Sequence, residues 1–263
     1  MTPSMTESDF ERFIQESGWN PYQKPGERDM SHLEEHVLIF ADNALLYLVD
    51  TDKSIIQFGA RFSPIKSFCA HKGRLYDGCE NEKIHDTIKG VIIADSKQYF
   101  KSLCSHAGRL YDCGFPSGIL DVESNSIVAG EGRVISSLCS HEGRLYDVWR
   151  DGKVRDSFSD EIMAECDMTA KHMCSFDGKL YHVEERGDVD YAIFETIDRK
   201  VIASRDAPIV SLFVHNGRLC DATIEGNVHD TFNDFLYLSH DIRINSMCSH
   251  PRSYFIKEDV LQQ

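Results

Sequence analysis

The sequence predicts an all-β fold, a six-bladed β-propeller whose blades are four-stranded antiparallel sheets. One observation is a repeated segment, Ser137–Asp147, with close copies at Ser67–Asp77 and Ser102–Asp112 and weaker copies at His172–His182 and Ser211–Asp221. Another is its spacing, since successive copies start 35, 35, 35 and 39 residues apart, and a fragment at 246–250 follows after 35 more. A period this regular indicates the architecture before any single residue is interpreted.

The third observation is that each period contains four strand-length segments joined by short polar turns. In the third unit these segments are Val134–Ser140, Gly143–Trp149, Lys153–Phe158 and Glu161–Glu165. Gly and Asp in the turns between them are typical of antiparallel hairpins. Whole units lie near residues 65–99, 100–134, 135–169, 170–208 and 209–243. One such sheet has two apolar faces and needs neighbours, which radial packing around an axis provides.

The two ends of the chain decide the number of blades. Residues 1–35 show no repeat and form a separate N-terminal segment, in which Ser8–Ser17 has the pattern of a short helix. Residues 36–263 form the predicted propeller, beginning with the strands Val37–Phe40, Leu45–Val49 and Ile55–Phe58. We expect the C-terminal strands, including Tyr254–Lys257, to join these in one composite blade. Five whole units and one shared unit make six blades; seven is the alternative if each end forms its own blade.

Composition limits the partners and the compartment. The net charge of −15 argues against nucleic acid, because binding a polyanion requires a cluster of Lys and Arg. The nine cysteines include no CxxC pair, and five recur at one repeat position as small apolar residues. Free buried thiols, no secretory leader pattern and no membrane-length apolar run predict a cytoplasmic protein without a membrane partner. The oligomeric state stays open.

The repeat resembles the short-blade propellers of quinoprotein-like, NHL-like and WD-repeat proteins. The resemblance rests on Asp/Glu-Gly-Lys/Arg-Leu-Tyr strands at Asp177–Tyr181 and Glu142–Tyr146, and on Gly-Lys-Val at Gly152–Val154. It covers roughly residues 37–260 and implies an architecture only. The Gly-His and Trp-Asp signature of WD repeats is missing, as is the tryptophan that ends the quinoprotein-type strand. No narrower family is therefore indicated.

The repeated polar residues are interpreted as a structural network, because a feature present in every blade usually serves the fold. We expect each repeated histidine to hydrogen-bond locally and brace its blade, and the repeated arginines, such as Arg74 and Arg109, to form salt bridges between blades with the repeated aspartates. The network comprises His71, His106, His141, His215, His250, Asp77, Asp112, Asp147 and Asp221. No metal and no cofactor is predicted; the HxxEH pattern at His32–His36 is attributed to chance, since it precedes a strand.

The loops between the second and third strands differ between blades, and variable loops on a rigid scaffold are where binding usually resides. Phe115 and Trp149 are the candidate aromatic anchors, with the acidic residues suggesting a negative rim. The candidate binding residues are Phe115, Trp149, Arg150, Glu80, Glu82, Glu184, Glu185 and Arg186. No catalytic residue is singled out.

The resulting hypothesis is a non-catalytic scaffold that binds a protein or peptide partner on the loop face around the central axis. The alternatives are a hydrolase or lyase acting on a carbohydrate-like substrate at the axis mouth, and a lectin-like module with several equivalent sites. An enzyme would need paired carboxylates that converge at the centre. The sequence shows no isolated acid that breaks the repeat at an axial position.

Overall fold

The computed structural model describes residues 36–49, 55–96, 98–116, 118–187 and 190–251. The helix predicted for Ser8–Ser17, the side chains of the His32–His36 motif and the strand predicted for Tyr254–Lys257 lie outside these ranges. The described residues contain 24 strands in six antiparallel sheets of four strands each. No helix that could span a bilayer occurs in this part of the chain.

Five blades are continuous in sequence and one is shared between the chain ends. The shared sheet, called the composite blade, has the order β24-β1-β2-β3, so the C-terminal strand pairs with the first strand. The composite blade contains β1 (His36–Asp42), β2 (Leu45–Val49), β3 (Ile55–Ala60) and β24 (Ser246–Pro251). Blade 1 contains β4 (Ile65–His71), β5 (Arg74–Cys79), β6 (Lys83–Asp86) and β7 (Ile92–Asp95); blade 2 contains β8 (Tyr99–His106), β9 (Arg109–Phe115), β10 (Gly118–Asp121) and β11 (Ser126–Ala129); and blade 3 contains β12 (Ile135–His141), β13 (Arg144–Trp149), β14 (Lys153–Asp156) and β15 (Ile162–Glu165). Blade 4 contains β16 (Thr169–Phe176), β17 (Lys179–Glu185), β18 (Tyr191–Glu195) and β19 (Lys200–Arg205), and blade 5 contains β20 (Ile209–His215), β21 (Arg218–Thr223), β22 (Asn227–Asp230) and β23 (Phe235–Ser239).

The predicted six-bladed fold and its closure by the chain ends are confirmed. The composite blade takes one strand from the C-terminus and three from the N-terminus, because β1 occupies the place of a second strand beside β24. The strands β4, β8, β12, β16, β20 and β24 contact one another in a closed ring around the axis. They all run in the same direction, so their first residues share one end of the ring with the loops between second and third strands. That end is called the loop face.

The hydrophobic core lies between blades. Six clusters of buried side chains fill the six junctions, and each draws its members from two neighbouring blades. At the junction of blades 1 and 2, for example, Phe100 packs against Ile84. The ring of Phe100 is fully buried and leaves no room beside Gly78, where a Cβ atom would lie 2.0 Å from it.

Hydrogen bonds join the inner strands away from the loop face. The Nδ1 atoms of four repeated histidines lie 2.8 to 2.9 Å from a serine Oγ of the next blade, in the pairs His71–Ser105, His106–Ser140, His141–Ser175 and His215–Ser249. At the corresponding position of blade 4, Phe176 instead packs against Phe232 of blade 5, with ring centroids 6.0 Å apart. The histidine–serine contacts therefore link neighbouring blades, in addition to holding each imidazole ring in place.

The repeated arginines do not form the expected salt bridges between blades. Each lies at the start of a second strand and pairs with the acid that ends the third strand of the same blade, since antiparallel pairing brings these strand ends together. The pairs are Arg74–Asp86, Arg109–Asp121, Arg144–Asp156 and Arg218–Asp230. These guanidinium groups are about half exposed, so each pair contributes little to stability.

Two other arginines make buried salt bridges between blades. Arg61 follows the composite blade and binds Asp77 of blade 1 through Nε and Nη2, at 2.9 and 2.6 Å. Arg205 ends blade 4 and binds Asp221 of blade 5 in the same bidentate way, at 2.8 Å for both nitrogens. Both aspartates are fully buried. At the junction of blades 1 and 2, the neutral amide of Gln98 takes the place of arginine and donates to Asp112.

The difference between these junctions predicts how mutations act. Asp221→Asn is expected to lower the free energy of unfolding by about 3 kcal/mol, because it removes the buried carboxylate that binds Nε and Nη2 of Arg205 and leaves this guanidinium only the exposed Asp234. The matched change Asp112→Asn, whose partner is neutral, is expected to cost less than about 1 kcal/mol. Urea unfolding of both variants at pH 7 measures the two values. Equal losses would contradict the assignment of the buried charge pair.

Candidate functional site

The loop face surrounds a small polar cavity on the axis. The cavity has a volume of about 140 Å³ and is lined by the first residues of the inner strands. Below its mouth, serine hydroxyls join successive inner strands: Ser67 Oγ accepts from the N–H of Leu103 at 3.1 Å, and Ser137 Oγ accepts from that of Met173 at 3.1 Å. No carboxylate occurs among the described residues that line the cavity.

Blade 4 interrupts the serine ring with a histidine. His172 stands where the other inner strands carry Ser67, Ser102, Ser137, Ser211 and Ser246. Its backbone has a φ of 43°, within a register irregularity of β16 between Lys171 and Cys174. Burial, and then the charge of Lys171, lower the pKa of His172 to about 4. The imidazole is therefore neutral at pH 7.

Three lysines occupy equivalent positions of the inner strands near this cavity, and Lys66 and Lys101 line it. Lys66, Lys101 and Lys171 each immediately precede the axial serine or histidine of their inner strands. Partial burial, and next the positive charges of Lys66 and Lys171, lower the pKa of Lys101. The ammonium group of Lys101 is therefore close enough to the other two to be repelled by them. Lys66 is paired with Glu80 at 3.2 Å, and Lys171 with Glu185. The mouth of the axis is thus basic in a protein of net charge −15.

Exposed aromatic rings adjoin this basic mouth at blade 2. Tyr99 and Phe115 are cross-strand neighbours on β8 and β9, and they are 41 and 51% exposed. The ammonium group of Lys101 lies 4.7 Å from the centroid of the Tyr99 ring, a cation–π contact. The hydroxyl of Tyr99 donates to Glu80 at 2.7 Å. Together Lys66, Glu80, Tyr99, Lys101 and Phe115 form a continuous surface, called the axial patch.

The sequence indicated only part of this patch. Phe115 and Glu80 were candidates because they lie in a variable loop, whereas Tyr99 and the lysines occupy strand positions inside the repeat. The sequence feature that could have identified the lysines is their recurrence immediately before the axial serine or histidine of the repeat. Of the remaining loop candidates, Glu82, Arg150 and Arg186 are exposed, and Glu185 is partly exposed. Their binding roles stay predictions.

Trp149 is placed differently from Phe115. Its ring is partly buried in the junction of blades 2 and 3, between the guanidinium groups of Arg133 and Arg155, which lie 4.0 and 4.4 Å from its centroid. The indole N–H donates to the buried carboxylate of Asp147. These contacts favour a packing role for Trp149 over the predicted role of an exposed anchor.

Glu184 does not belong to an acidic rim, because its side chain is only 1% exposed. It lies at the junction of blades 3 and 4 with two other potential metal ligands. His182 Nε2 is 3.0 Å from Glu184 Oε1 and 3.3 Å from the sulfur of Cys166. Arg199 also pairs with this carboxylate, and it holds the pKa of Glu184 below its ordinary value together with His182, although burial opposes this.

A second group of three potential ligands lies at the junction of the composite blade and blade 1. It consists of Asp77, Cys79 and His85, all of them buried. The sulfur of Cys79 is 3.6 Å from both Asp77 Oδ2 and His85 Nδ1. Both carboxylate oxygens of Asp77 already accept from Arg61. The bidentate salt bridge with Arg61 therefore leaves neither carboxylate oxygen of Asp77 free to bind a metal ion.

The comparisons with known proteins concern the fold. No family model and no curated protein matches the sequence. Among solved structures, the chain is similar to one in a nidogen/laminin complex, with a TM-score of 0.65 and 12% identity over 81% of this chain and 98% of that chain. It is also similar to the computationally designed protein Ika8, with a TM-score of 0.48 and 14% identity over 80% of this chain and 76% of that one. The fold and the first of these likenesses define the protein as a six-bladed β-propeller.

The environment of Trp149 predicts a titration that can be observed directly. Burial raises the pKa of Asp147 to about 6, despite the hydrogen bond from Trp149. Since the folded-state pKa is above that of the unfolded chain, this group favours folding most below about pH 4, and its contribution is lost as the pH rises towards 6. The indole N–H resonance of Trp149 is expected to shift with a midpoint near pH 6 in NMR spectra.

Asp147→Asn should abolish that shift, because an amide does not ionise in this range. The chain has one other tryptophan, Trp19, and Trp19→Phe assigns the signal. A resonance that stays fixed from pH 5 to 7 would show that Asp147 does not titrate in this range, and a shift that persists in Asp147→Asn would assign the titration to another group.

Proposed function

We propose that this propeller is a non-catalytic scaffold that binds a protein or peptide partner on the loop face, at the axial patch. The observation that carries the proposal is the exposed aromatic pair Tyr99 and Phe115 beside the basic mouth of the axis. Exposed aromatic side chains are typical anchors of interfaces, and strands hold these two rings in fixed positions.

The charges of the patch specify the partner further. Lys66 and Lys171 have acidic partners, whereas the salt bridges of the described residues give Lys101 none. An acidic side chain or a terminal carboxylate of a peptide complements this ammonium group, and an apolar side chain next to it covers Phe115. The acidic remainder of the protein repels such a peptide elsewhere, which favours binding at the axis.

The cysteines support a reducing compartment for this function. All nine are free thiols in the described structure, and five of them are buried. Free thiols persist where glutathione keeps them reduced, so we place the protein in the cytoplasm. No observation favours the axis-mouth hydrolase or the lectin-like module, and neither is proposed.

The proposal is tested by selecting peptides from a random display library on the purified full-length chain. Selected peptides are expected to carry Asp, Glu or a terminal carboxylate next to an apolar residue. Phe115→Ala and Lys101→Glu should each weaken binding of those peptides at least about tenfold by fluorescence anisotropy, because they remove the anchor or reverse the charge. Binding should also weaken as salt is raised, since the contact is partly electrostatic.

Lys200→Glu is the matched control for the charge reversal. Lys200 is exposed at the start of β19, the outermost strand of blade 4, and its reversal should leave peptide affinity within about twofold. Melting temperatures of all three variants should remain near that of the unmodified chain, because the substituted side chains are exposed. Peptides that bind equally well to Phe115→Ala and Lys101→Glu would refute binding at the axial patch.

A further inference from the structure

Blade 4 departs from the repeat at three residues that come together in space. His182 stands where the other continuous blades carry Asp77, Asp112, Asp147 and Asp221, and Glu184 lies two residues further along the same strand. Cys166, at the end of blade 3, occupies the position that Arg61 has before blade 1 and Arg205 has before blade 5. A junction built elsewhere from a guanidinium and a carboxylate is built here from a thiol, an imidazole and a carboxylate.

We propose that Cys166, His182 and Glu184 form a binding site for a divalent transition-metal ion of the Zn²⁺ type. Thiolate, imidazole and carboxylate are the three kinds of side-chain ligand that Zn²⁺ takes. One ligand atom from each residue lies within 4.8 Å of the others. A fourth position would remain for water, as in sites with three protein ligands.

The distances fit a tetrahedral ion. Bonds of about 2.3 Å to sulfur and about 2.0 Å to nitrogen or oxygen place neighbouring ligand atoms roughly 3.3–3.6 Å apart. The sulfur of Cys166 is 3.3 Å from His182 Nε2, and Glu184 Oε1 is 3.0 Å from the same nitrogen. Movements of a few tenths of an ångström would admit the ion.

The orientation of His182 is a second, independent observation. Its Nδ1 atom lies 3.0 Å from the hydroxyl of Thr196, which is fully buried, and this partner fixes the ring. Without metal, Nε2–H donates to Glu184; with metal bound, Nδ1–H would donate to Thr196, and the Nε2 lone pair, which then faces both the sulfur and the carboxylate, would bind the ion. A cation between the three atoms satisfies all of them at once, and a second-sphere hydrogen bond of this kind is the usual support of a metal-binding histidine.

The surrounding charges suit a divalent ion. Arg199 contacts Glu184 and, at 2.9 Å, the exposed carboxylate of Asp167. With the Cys166 thiolate, three negative groups therefore face one guanidinium, and the two remaining charges match those of the ion. In the metal-free protein the Cys166 thiol carries a proton, because the ordinary pKa of cysteine is above 7. The metal replaces that proton, which is released to solvent.

Access and location also favour this site over the similar group at Asp77. Cys166 is only partly buried, which gives an ion a route to the ligands, whereas Asp77 and Cys79 are wholly buried and Arg61 occupies both oxygens of Asp77. Bound metal would connect blade 3 to blade 4 in the way that Arg61–Asp77 and Arg205–Asp221 connect their own pairs of blades.

The experiment is a titration of the untagged, chelator-treated and reduced full-length chain with Co²⁺, a spectroscopic substitute for Zn²⁺. The expected result is a thiolate-to-cobalt absorption band in the near ultraviolet that saturates at one ion per chain and disappears when Zn²⁺ is added. Zn²⁺ should also raise the melting temperature of the unmodified chain, because it binds the folded state.

Cys166→Ser should remove the band, and Glu184→Gln should weaken Co²⁺ binding by more than the roughly 10-fold cost of losing a second-sphere partner, because it removes a direct ligand. Cys79→Ser is the matched control and should leave both the band and the affinity unchanged. His182→Phe, which keeps a planar ring and supplies no ligand atom, should lose the Zn²⁺-dependent rise in melting temperature. Absence of the band in the unmodified chain, its persistence in Cys166→Ser, or its loss in Cys79→Ser would overturn the assignment. None of these outcomes bears on peptide binding at the axial patch.

Discussion

The structure depends on the burial of each blade against its two neighbours. All six hydrophobic clusters lie between blades, so a single sheet has no core of its own. The pairing of β24 with β1 completes the last two junctions, because it gives the composite blade its inner strand. Ring closure is therefore a condition of stability for every blade.

This dependence explains why the repeated polar residues are structural and where the chain is free to vary. Histidine–serine contacts and axial serines hold the inner strands at fixed spacing, which leaves little latitude at those positions. The polar partners within the junctions vary more. An arginine–aspartate pair, a glutamine–aspartate pair, a cysteine–histidine–glutamate group and a stacked Phe40–His240 pair fill equivalent places. In each case the side chains that meet in the junction are chemically complementary.

The two proposed sites exploit different consequences of the ring. The axial patch exists because Lys66 and Lys101, one period apart, converge at the axis with Lys171, two periods further along the chain, which concentrates positive charge within an acidic protein. The group at Cys166 exists because one junction exchanged a guanidinium for a thiol. The convergence of lysines at the axis produces a surface for partners. The presence of a thiol in place of a guanidinium produces a buried polar centre between blades 3 and 4.

Much of the fold and part of the candidate site could be predicted from local sequence. The repeat length, the turns and the matching chain ends determined the strands, the six blades and their closure, since these depend on hydrogen bonding and apolar alternation within about 35 residues. Phe115 was found from its variable loop. The burial of Glu184 could not be predicted in this way. An acidic residue at the end of a loop segment has the same local sequence pattern whether its side chain is exposed or buried in a junction between blades.

Only the tertiary structure decided which residues of different blades meet. It assigned Arg74 and Arg109 to acids of their own blades, and Arg61 and Arg205 to acids of the next. It also joined Lys101 to Tyr99 and Cys166 to His182. The physical reason is that a period specifies where each strand lies in its blade, whereas a contact between blades depends on how two sheets pack and which side chains fill the space between them.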